Sequence, residues 1–458
     1  MRPIVVHVGS EAVPFAKTGG LADVLGALPR AQAELGARTI VITPLYRKET
    51  IKAFSAERLG ALVPIVVDGQ SFTAQVWCAA LDAGASCAQP WRAWRRGELG
   101  AAAWLVDVPA LFQREGLYGP PGGAYADNPL RFTLFVRAAI EAVARFVPET
   151  SVLHVHDWQA ALLPLLLRRQ YAHYPRLARL PVVLTIHNLA YQGVFEASWR
   201  LRLGLPEEDF HPDGYEFYGQ INFLKAGILA SDRVTTVSPT YAREILTPGF
   251  GCGLDGFLRR HAEKLSGILN GLDTRLWDPA TDPQLPVRYR ATSLAGKGRV
   301  RAALLRRLGL KIGRASPLFG MVSRLVEQKG VDLVADCIPR WVARGWGIAV
   351  LGSGDPVLAR MLKRLAAAHP EAVAFIEGYD EALARWIYAG ADLFLMPSRF
   401  EPCGLAQMIA MRYGTPPVVR ATGGLKDTVV DADADPDRGT GFAFDEATPQ
   451  ALDAACRR

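Results

Sequence analysis

Two glycine pairs near opposite ends of the chain stand where the backbone could contact an anion. The first pair lies in Thr18–Leu21 and the second in Thr422–Leu425, and each is placed to open a helix after a strand. Glycines at such a position leave backbone N–H groups accessible to a phosphate. Lys17 precedes the first pair and adds a positive charge. The repeated pattern therefore predicts two similarly built halves and a ligand that carries phosphate.

Two cations follow a predicted strand in the second half of the chain. Arg324 and Lys329 lie five residues apart, across a turn that opens into a helix. Cations near the start of a helix are electrostatically unfavourable unless an anion is present. One interpretation is that Arg324 and Lys329 are ordinary surface cations without a functional role. The functional interpretation is that they neutralise the charge of a departing diphosphate.

Polar side chains also follow two strands of the first half. His154, His156 and Asp157 come at the end of one predicted strand, and His187 follows the next. A single histidine at such a place is more often a hydrogen-bonded structural residue. Two strand ends that converge on one face favour a functional site, because a doubly wound sheet binds its ligand there.

A carboxylate is held on a short turn late in the chain. Glu401 stands between Phe400 and Pro402, directly after a predicted strand and before a helix. Such a group can accept hydrogen bonds from sugar hydroxyls, and acid–base catalysis is an open alternative. Cys403 is compatible with a simple buried side chain, whereas Gly404 would let the following amides approach a ligand.

The elements that must position these side chains alternate between short apolar runs and longer helical patterns, which is typical of parallel sheets covered by helices. The predicted strands are Ile4–Val8, Thr39–Thr43, Val152–Val155, Val182–Ile186 and Val234–Val237 in the first half, and Leu318–Val322, Ile348–Leu351, Ala372–Ile376, Leu393–Met396 and Pro417–Val419 in the second. We predict an α/β fold with two doubly wound Rossmann-like domains, residues 1–265 and 266–458.

The sequence also predicts two irregular surface segments and a short helix at the end of the chain. Residues 82–100 and 278–287 lack a regular pattern, and we expect both to form surface connections. A helix that begins at Thr448 stops with the chain at Arg458. We expect so short an amphipathic helix to bury little of its apolar side.

Composition limits the possible partners and the location. The chain has 458 residues, 50% of them hydrophobic, and a net charge of +7 spread without a long Lys/Arg tail, so we expect no nucleic-acid partner. Its six cysteines show no C-x-x-C spacing, which indicates free thiols in a reducing cytoplasm, with no metal site. The longest apolar stretch, residues 160–167, is interrupted by Pro164, so no membrane partner is expected.

Together these motifs resemble the bacterial glycogen synthase and plant starch synthase family, retaining glycosyltransferases of the GT-B architecture with two facing domains and an interdomain cleft. The resemblance covers nearly the whole chain in order. Its motifs are Ser10–Glu11, Lys17–Leu21, His187–Gly193, Phe217–Gln220, Gly267–Gly271, Val322–Leu325, Gln328–Gly330, Gly352–Pro356, Ser398–Leu405 and Thr422–Leu425.

The resemblance implies transfer of glucose from ADP-glucose to the non-reducing end of an α-1,4-glucan such as glycogen, with retention and without a cofactor or metal. It implies that Arg324 and Lys329 bind the diphosphate and that His187 lies beside the reacting sugar. Asp157 and Glu401 would hold glucose hydroxyls, and Phe217–Gln220 would lie on the acceptor side, in the N-terminal domain. The other implied donor contacts are Lys17, Gly20, Asp23, Asn270, Tyr379, Cys403, Gly404 and Leu405.

Several readings stay open at this point. Members of the family usually continue with further C-terminal helices, so we expect weaker coupling between the domains in this chain. No residue identifies the base of the nucleotide, so a UDP-sugar donor or a different acceptor is an alternative. A glucan-binding relative without catalytic activity is a second alternative. A glucan phosphorylase would need a lysine that carries pyridoxal phosphate and a much longer chain.

Overall fold

The chain folds as two compact units. The computed structural model describes residues 2–62, 64–81, 87–120 and 122–458. The first unit comprises Met1–Val237 and Ala242–Ile268, and the second comprises Ser238–Tyr241 and Leu269–Arg458. Among the helices of the described residues, none combines the length and the apolar character that crossing a bilayer requires.

The first unit contains fourteen strands among its described residues. They are β1 (Ile4–Val8), β2 (Arg38–Pro44), β3 (Glu57–Ala61), β4 (Ile65–Val67), β5 (Gln70–Phe72), β6 (Gln75–Ala80), β7 (Ala101–Asp107), β8 (Val152–His156), β9 (Val182–Ile186), β10 (Val194–Glu196), β11 (Glu216–Phe217), β12 (Gln220–Asn222), β13 (Arg233–Thr236) and β14 (Leu265–Gly267). The α-helices up to the boundary are α1 (Gly20–Glu34), α2 (Glu49–Ala53), α3 (Pro90–Arg96), α4 (Pro109–Phe112), α5 (Asn128–Phe146), α6 (Asp157–Ala160), α7 (Leu162–Gln170), α8 (Trp199–Arg202), α9 (Phe223–Ala230), α10 (Pro239–Glu244) and α11 (Asp255–Arg260).

The main sheet of the first unit is doubly wound. Its order is β14-β13-β9-β8-β1-β2-β7-β6-β3, with β6 antiparallel to both of its neighbours and the other pairings parallel. The chain adds β2 and β7 on one side of β1 and then β8, β9, β13 and β14 on the other. The direction of winding therefore reverses between β1 and β8, and a sheet of this kind offers its ligand site at the carboxyl ends of those two strands.

The second unit repeats this design with fewer strands. Its elements are α12 (Ala295–Leu308), β15 (Leu318–Val322), α13 (Val331–Ala343), β16 (Gly347–Gly352), α14 (Pro356–Ala368), β17 (Val373–Glu377), α15 (Glu381–Gly390), β18 (Leu393–Met396), α16 (Ala406–Arg412), β19 (Pro417–Arg420), α17 (Gly423–Thr428), β20 (Phe442–Phe444) and α18 (Pro449–Cys456). The sheet is parallel throughout, in the order β17-β16-β15-β18-β19-β20. Its winding reverses between β15 and β18, the two strands that precede Lys329 and Glu401.

All ten predicted strands are present, and their ends agree within two residues. The continuous apolar runs arise because both faces of these strands are covered: the adjacent residues Leu318 and Phe319 of β15, and Phe394 and Leu395 of β18, are all fully buried. The sequence missed the edge of the first sheet from β3 to β7. The strand β7 begins Ala-Ala-Ala, and alanine has a low strand propensity that burial between neighbours overrides here.

The two predicted surface connections are corrected by the structure. Residues 82–86 lie outside the described residues, but the rest of the first segment contains α3, whose Trp94 is fully buried beneath the Arg38 guanidinium at 3.8 Å. In the second segment, Asp282 is buried and accepts a hydrogen bond from Arg385 Nη1 at 3.0 Å. Proline and aspartate marked irregular backbone in this segment correctly, but irregular backbone need not be exposed when its carboxylate has a buried cationic partner.

The expectation for the last helix is also wrong. Leu452 of α18 is fully buried in the core cluster that contains Trp341 of α13. Asp453 accepts hydrogen bonds from Trp341 Nε1 at 3.0 Å and from Arg344 Nη1 at 2.6 Å. Helix length alone underestimated the burial, because α13 and β20 provide the apolar surface on which α18 packs.

Replacement of Leu452 by Ala tests this packing. We expect a loss of about 2–4 kcal/mol of stability in the second unit, because a fully buried leucine leaves a cavity when it is truncated. Native-state hydrogen exchange of the α13 amides measures the loss. The control is Gln450→Ala on the exposed face of the same helix, and equal exchange in the two variants would contradict the packing.

Candidate functional site

The first glycine turn is organised by a buried carboxylate. Glu11 is 3% exposed; its Oε1 accepts a hydrogen bond from Thr18 Oγ1 at 2.6 Å, and its Oε2 accepts from the Gly19 amide at 3.3 Å. The Thr18 amide and the Tyr118 hydroxyl donate to the same group. The Thr18 and Gly19 amides, which the sequence analysis expected to face a phosphate, therefore already donate to Glu11. The sequence reasoning assigned Glu11 no role, although it lies in one of the motifs of the resemblance.

Lys17 and Asp23 meet beside that turn. Lys17 Nζ lies 2.7 Å from Asp23 Oδ1, and the two side chains are 39% and 23% exposed. An ion pair in this much contact with water contributes little to stability, about 0–1 kcal/mol. Its members can therefore exchange partners when a ligand arrives at low energetic cost. Gly20 is the first residue of α1, at the same turn.

Asp157 connects the ends of β8 and β9. It has a positive φ of 56°, and its Oδ1 accepts a hydrogen bond from the His187 amide at 2.7 Å. Burial raises the pKa of its carboxyl to about 7, although the amide N–H groups of His187 and Asn188 oppose that rise. The structure thus joins two candidate residues that lie thirty positions apart. A carboxyl that titrates near neutral pH is typical of functional sites.

Four histidines lie together at the carboxyl end of the first sheet. His7 Nδ1 is 3.1 Å from His156 Nε2, and His156 Nδ1 is 3.0 Å from His187 Nε2. The ring of His154 stacks on that of His156, with centroids 4.2 Å apart. Burial lowers the pKa of His7 to about 4 and that of His187 to about 3, and it holds the pKa of His154 and His156 well below the usual value. The rings are therefore neutral at physiological pH.

Three of these rings could in principle hold a metal ion. One ring nitrogen from each of His7, His154 and His156 lies within 4.8 Å of the others. The sequence predicted no metal site, because no spacing along the chain reveals this group. Alternate residues of a strand face the same side of a sheet, and the pairing of β1 with β8 places His7 beside His154.

In the second unit, Lys329 and Glu401 form a shielded ion pair. Lys329 Nζ lies 2.5 Å from Glu401 Oε2, and the side chains are only 17% and 7% exposed. Ser398 Oγ donates a second hydrogen bond to the same oxygen at 3.0 Å. The sequence analysis predicted that Lys329 binds a phosphate and that Glu401 binds a sugar, but it did not predict the contact between them.

Glycine makes the approach of these two segments possible. Gly330 has a φ of 65°, and a Cβ at this position would lie 2.2 Å from the carbonyl oxygen of Pro397. The Arg399 amide donates to Gln328 O at 2.8 Å, which links the segments through the backbone. Lys329 and Glu401 are consequently held on a rigid support at the point where the sheet reverses its winding.

The remaining candidates of the second unit surround the turn after Glu401. Cys403 is buried, which raises the pKa of its thiol to about 12, and the Asn270 amide donates to it. Gly404 has a φ of 75°, and Leu405 is the N-cap of α16. The side chains of Arg324 and Tyr379 are exposed and follow β15 and β17 in the chain.

The second glycine pair serves packing. A Cβ on Gly424 would lie 2.3 Å from Cys403 Cα, so α17 approaches the Cys403 turn more closely than any other residue would allow. The Gly424 amide donates to Glu401 O at 3.1 Å. The two glycine pairs are therefore alike in opening a helix, but the contacts they make differ.

Comparison with known proteins identifies the family of the chain. The family model of the starch synthase catalytic domain matches residues 4–260, and that of glycosyl transferases group 1 matches residues 316–458. With two Rossmann-like units of the GT-B type, the chain is a glycosyltransferase. It belongs to the glycogen synthase and starch synthase family, as the following relatives show.

Two curated relatives and one solved structure match almost the whole chain. It is 48% identical to a glycogen synthase of Anaeromyxobacter dehalogenans strain 2CP-C, over 99% of this chain and 91% of that protein. It is 45% identical to glycogen synthase 2 of Geobacter metallireducens, over 99% and 90%. The catalytic domain of starch synthase IV from Arabidopsis thaliana, solved with ADP and acarbose, superposes with a TM-score of 0.88 at 35% identity, covering 100% and 91%.

Replacement of Asp157 by Asn should stabilise the first unit at high pH. The raised pKa means that the folded state holds the proton more tightly than the unfolded state, so the contribution to stability is present below about pH 4 and is lost as the pH rises to about 7. Asparagine keeps the acceptor for the His187 amide and tolerates a positive φ.

Unfolding of the Asp157→Asn variant and the parent chain at pH 5 and pH 8 tests this expectation. The variant should gain about 2–3 kcal/mol relative to the parent as the pH rises between these values. A difference that does not change with pH would show that the carboxyl of Asp157 is not forced to carry a buried charge.

Proposed function

We propose that this chain is a cytoplasmic glycogen synthase that transfers glucose from ADP-glucose to the non-reducing end of an α-1,4-glucan with retention. The observation that carries the proposal is the match to curated glycogen synthases along 99% of the chain. The solved starch synthase relative, which contains ADP and acarbose, supports an ADP-bearing donor and a glucan-like acceptor.

The donor is assigned to the C-terminal domain, residues 266–458. Negative charge grows on the diphosphate as the bond from the anomeric carbon to its oxygen breaks, so cations belong beside it. Lys329 and Arg324 fill that role, and no metal ion is required. Lys329 is preorganised by Glu401 at 2.5 Å, so its charge is in place before the reaction begins.

Carboxylates serve the sugar, where positive charge develops. Glu401 accepts hydrogen bonds from glucose hydroxyls, and its pairing with Lys329 offsets the cost of burying the carboxylate. Asn270, Tyr379 and the turn Cys403–Leu405 line the nucleotide and phosphates. Gly404 fits this role because its positive φ turns the following backbone into α16.

The N-terminal domain, residues 1–265, supplies the contacts to the reacting sugar and the acceptor. His187 and Asp157 lie beside the sugar, and Lys17, Gly20 and Asp23 contact the donor. The acceptor side includes the hairpin of β11 and β12, whose turn residue Tyr218 is 81% exposed with a φ of 50°. An aromatic face held rigidly in a turn offers a flat apolar surface to a sugar ring.

A transfer assay with ADP-glucose and UDP-glucose side by side tests the donor, with glycogen as primer and radiolabelled glucose in the donor. We expect incorporation from ADP-glucose to exceed that from UDP-glucose by at least about tenfold, the effect of one well-formed contact to the base. Incorporation from UDP-glucose alone would contradict the donor assignment, and incorporation from neither would favour a silent glucan-binding relative.

Replacement of Lys329 by Ala separates an enzyme from such a silent relative. We expect transfer to fall by about a hundredfold or more, because one electrostatic contact to the leaving group is lost, while glycogen binding stays intact. The matched control is Lys363→Ala: its ion pair with Glu377 has the same length, 2.5 Å, but lies at the surface, with the side chains 58% and 43% exposed. Unchanged turnover in the Lys329 variant would contradict the proposed role.

A further inference from the structure

We propose that Gln32 is a positioning residue whose side-chain oxygen, acting through His7 and His156, determines which ring nitrogen of His187 carries the proton. The inference rests on the proposed function, because it gains a catalytic meaning from the placement of His187 beside the sugar. Gln32 itself lies in the last turn of α1, on the helix rather than on any strand end.

A continuous path of hydrogen bonds joins the two residues. Gln32 Oε1 lies 2.7 Å from His7 Nε2, and the two further links, from His7 to His156 and from His156 to His187, measure 3.1 and 3.0 Å. His7 and His156 are fully buried, so water does not compete for their ring nitrogens. The path therefore uses both nitrogens of each intermediate ring.

The direction of this path follows from elementary chemistry. A carbonyl oxygen only accepts, so His7 must donate from Nε2, and a neutral ring then has an acceptor at Nδ1. His156 must in turn donate from Nε2 to His7 and accept at Nδ1. His187 must therefore carry its proton on Nε2, which leaves a free lone pair on Nδ1.

The neutrality of the rings is what makes the path directional. A protonated imidazole donates from both nitrogens and would leave two donors facing each other. His7 and His156 are fully buried, and the path joins them to no anionic group, so a charged imidazolium there would lack a compensating partner. One amide oxygen thus decides the state of three rings.

The consequence for the reaction concerns the hydroxyl groups of the sugar. With Nδ1 unprotonated, His187 accepts a hydrogen bond from a glucose hydroxyl. With the opposite tautomer, His187 would present an N–H at that position and could only donate. The orientation that a bound hexose adopts beside the ring depends on this choice.

A metal ion at the same rings is incompatible with the path. Both ring nitrogens of His7 and of His156 take part in the path, so a metal bound to any of them would displace one of its hydrogen bonds. The metal would also need an unprotonated nitrogen from each ring. His154 lies to the side, with its Nε2 2.7 Å from Thr185 Oγ1, and is not a link of the path.

Three substitutions of Gln32 give different expectations in the full chain. Gln32→Glu keeps an acceptor and should preserve the tautomer of His187. Gln32→Met has a similar length but no acceptor, so the tautomers should mix. Gln32→Lys offers only donors and should reverse the path, leaving the proton of His187 on Nδ1.

The measurement is the pair of ¹⁵N chemical shifts of the His187 ring in protein labelled at histidine, assigned with His187→Ala. The parent chain should show Nε2 protonated and Gln32→Lys should show Nδ1 protonated. We expect kcat to fall about tenfold in Gln32→Met and more in Gln32→Lys, with KM for glycogen unchanged and activity retained in Gln32→Glu.

The outcomes are distinguishable from failure of the proposed function. A His187 proton on Nδ1 in the parent chain, a tautomer that ignores Gln32→Lys, or ¹⁵N shifts typical of metal-bound imidazole would overturn the path. A reversed tautomer with unchanged kcat would overturn its catalytic consequence. If His187→Ala is also fully active, the placement of His187 beside the sugar fails as well, although the shifts still report on the path.

Discussion

A carboxylate that is buried away from water needs a hydrogen-bond donor or a cation as its partner, and this constraint shapes the candidate site residues of each unit. Glu11, Asp157 and Glu401 all follow the carboxyl ends of parallel strands; Glu11 and Glu401 are buried, and Asp157 is partly buried. Each solves the problem differently. Glu11 is satisfied by the turn that follows it, Asp157 by an amide of the neighbouring strand end, and Glu401 by a lysine.

The nature of the partner decides what chemistry each carboxylate retains. Amide N–H groups bring only partial charges, so Asp157 remains reluctant to ionise and its pKa rises to about 7. Lys329 brings a full positive charge, which offsets the cost of removing the Glu401 carboxylate from water. In the proposed function, the lysine of this pair serves the leaving diphosphate and the carboxylate serves the sugar.

Much of this arrangement could be predicted from the sequence, and the missing parts share one cause. Apolar runs predicted all ten strands. The polar residues that follow these strands indicated the carboxyl edges of the sheets, where the candidate residues lie. Contacts between distant segments were not predictable. Lys329 and Glu401 are 72 positions apart, and only the adjacency of β15 and β18 in the sheet order brings them together.

Packing between elements that are distant in the sequence was not predictable either. The burial of α18 depends on α13, and the role of Gly424 depends on the turn at Cys403. Neither partner is visible in the local pattern. The candidate site residues were recognised because local motifs carry their resemblance to a family. Glu11 lies in one of these motifs, but its contacts with the glycine turn were not foreseen, and Gln32 contacts His7, which lies 25 positions away.

The histidines show how closely site chemistry depends on sheet register. His7 is paired with His154 across the β1–β8 ladder, and the side chain of His156 lies on the same face two residues further along. A slip of one residue in that register would turn the histidines of one strand to the opposite face and interrupt the path to His187. The apolar residues of β1 and β8 would then face the wrong layers as well. The burial that holds the sheet together therefore also fixes the register on which the protonation of His187 depends.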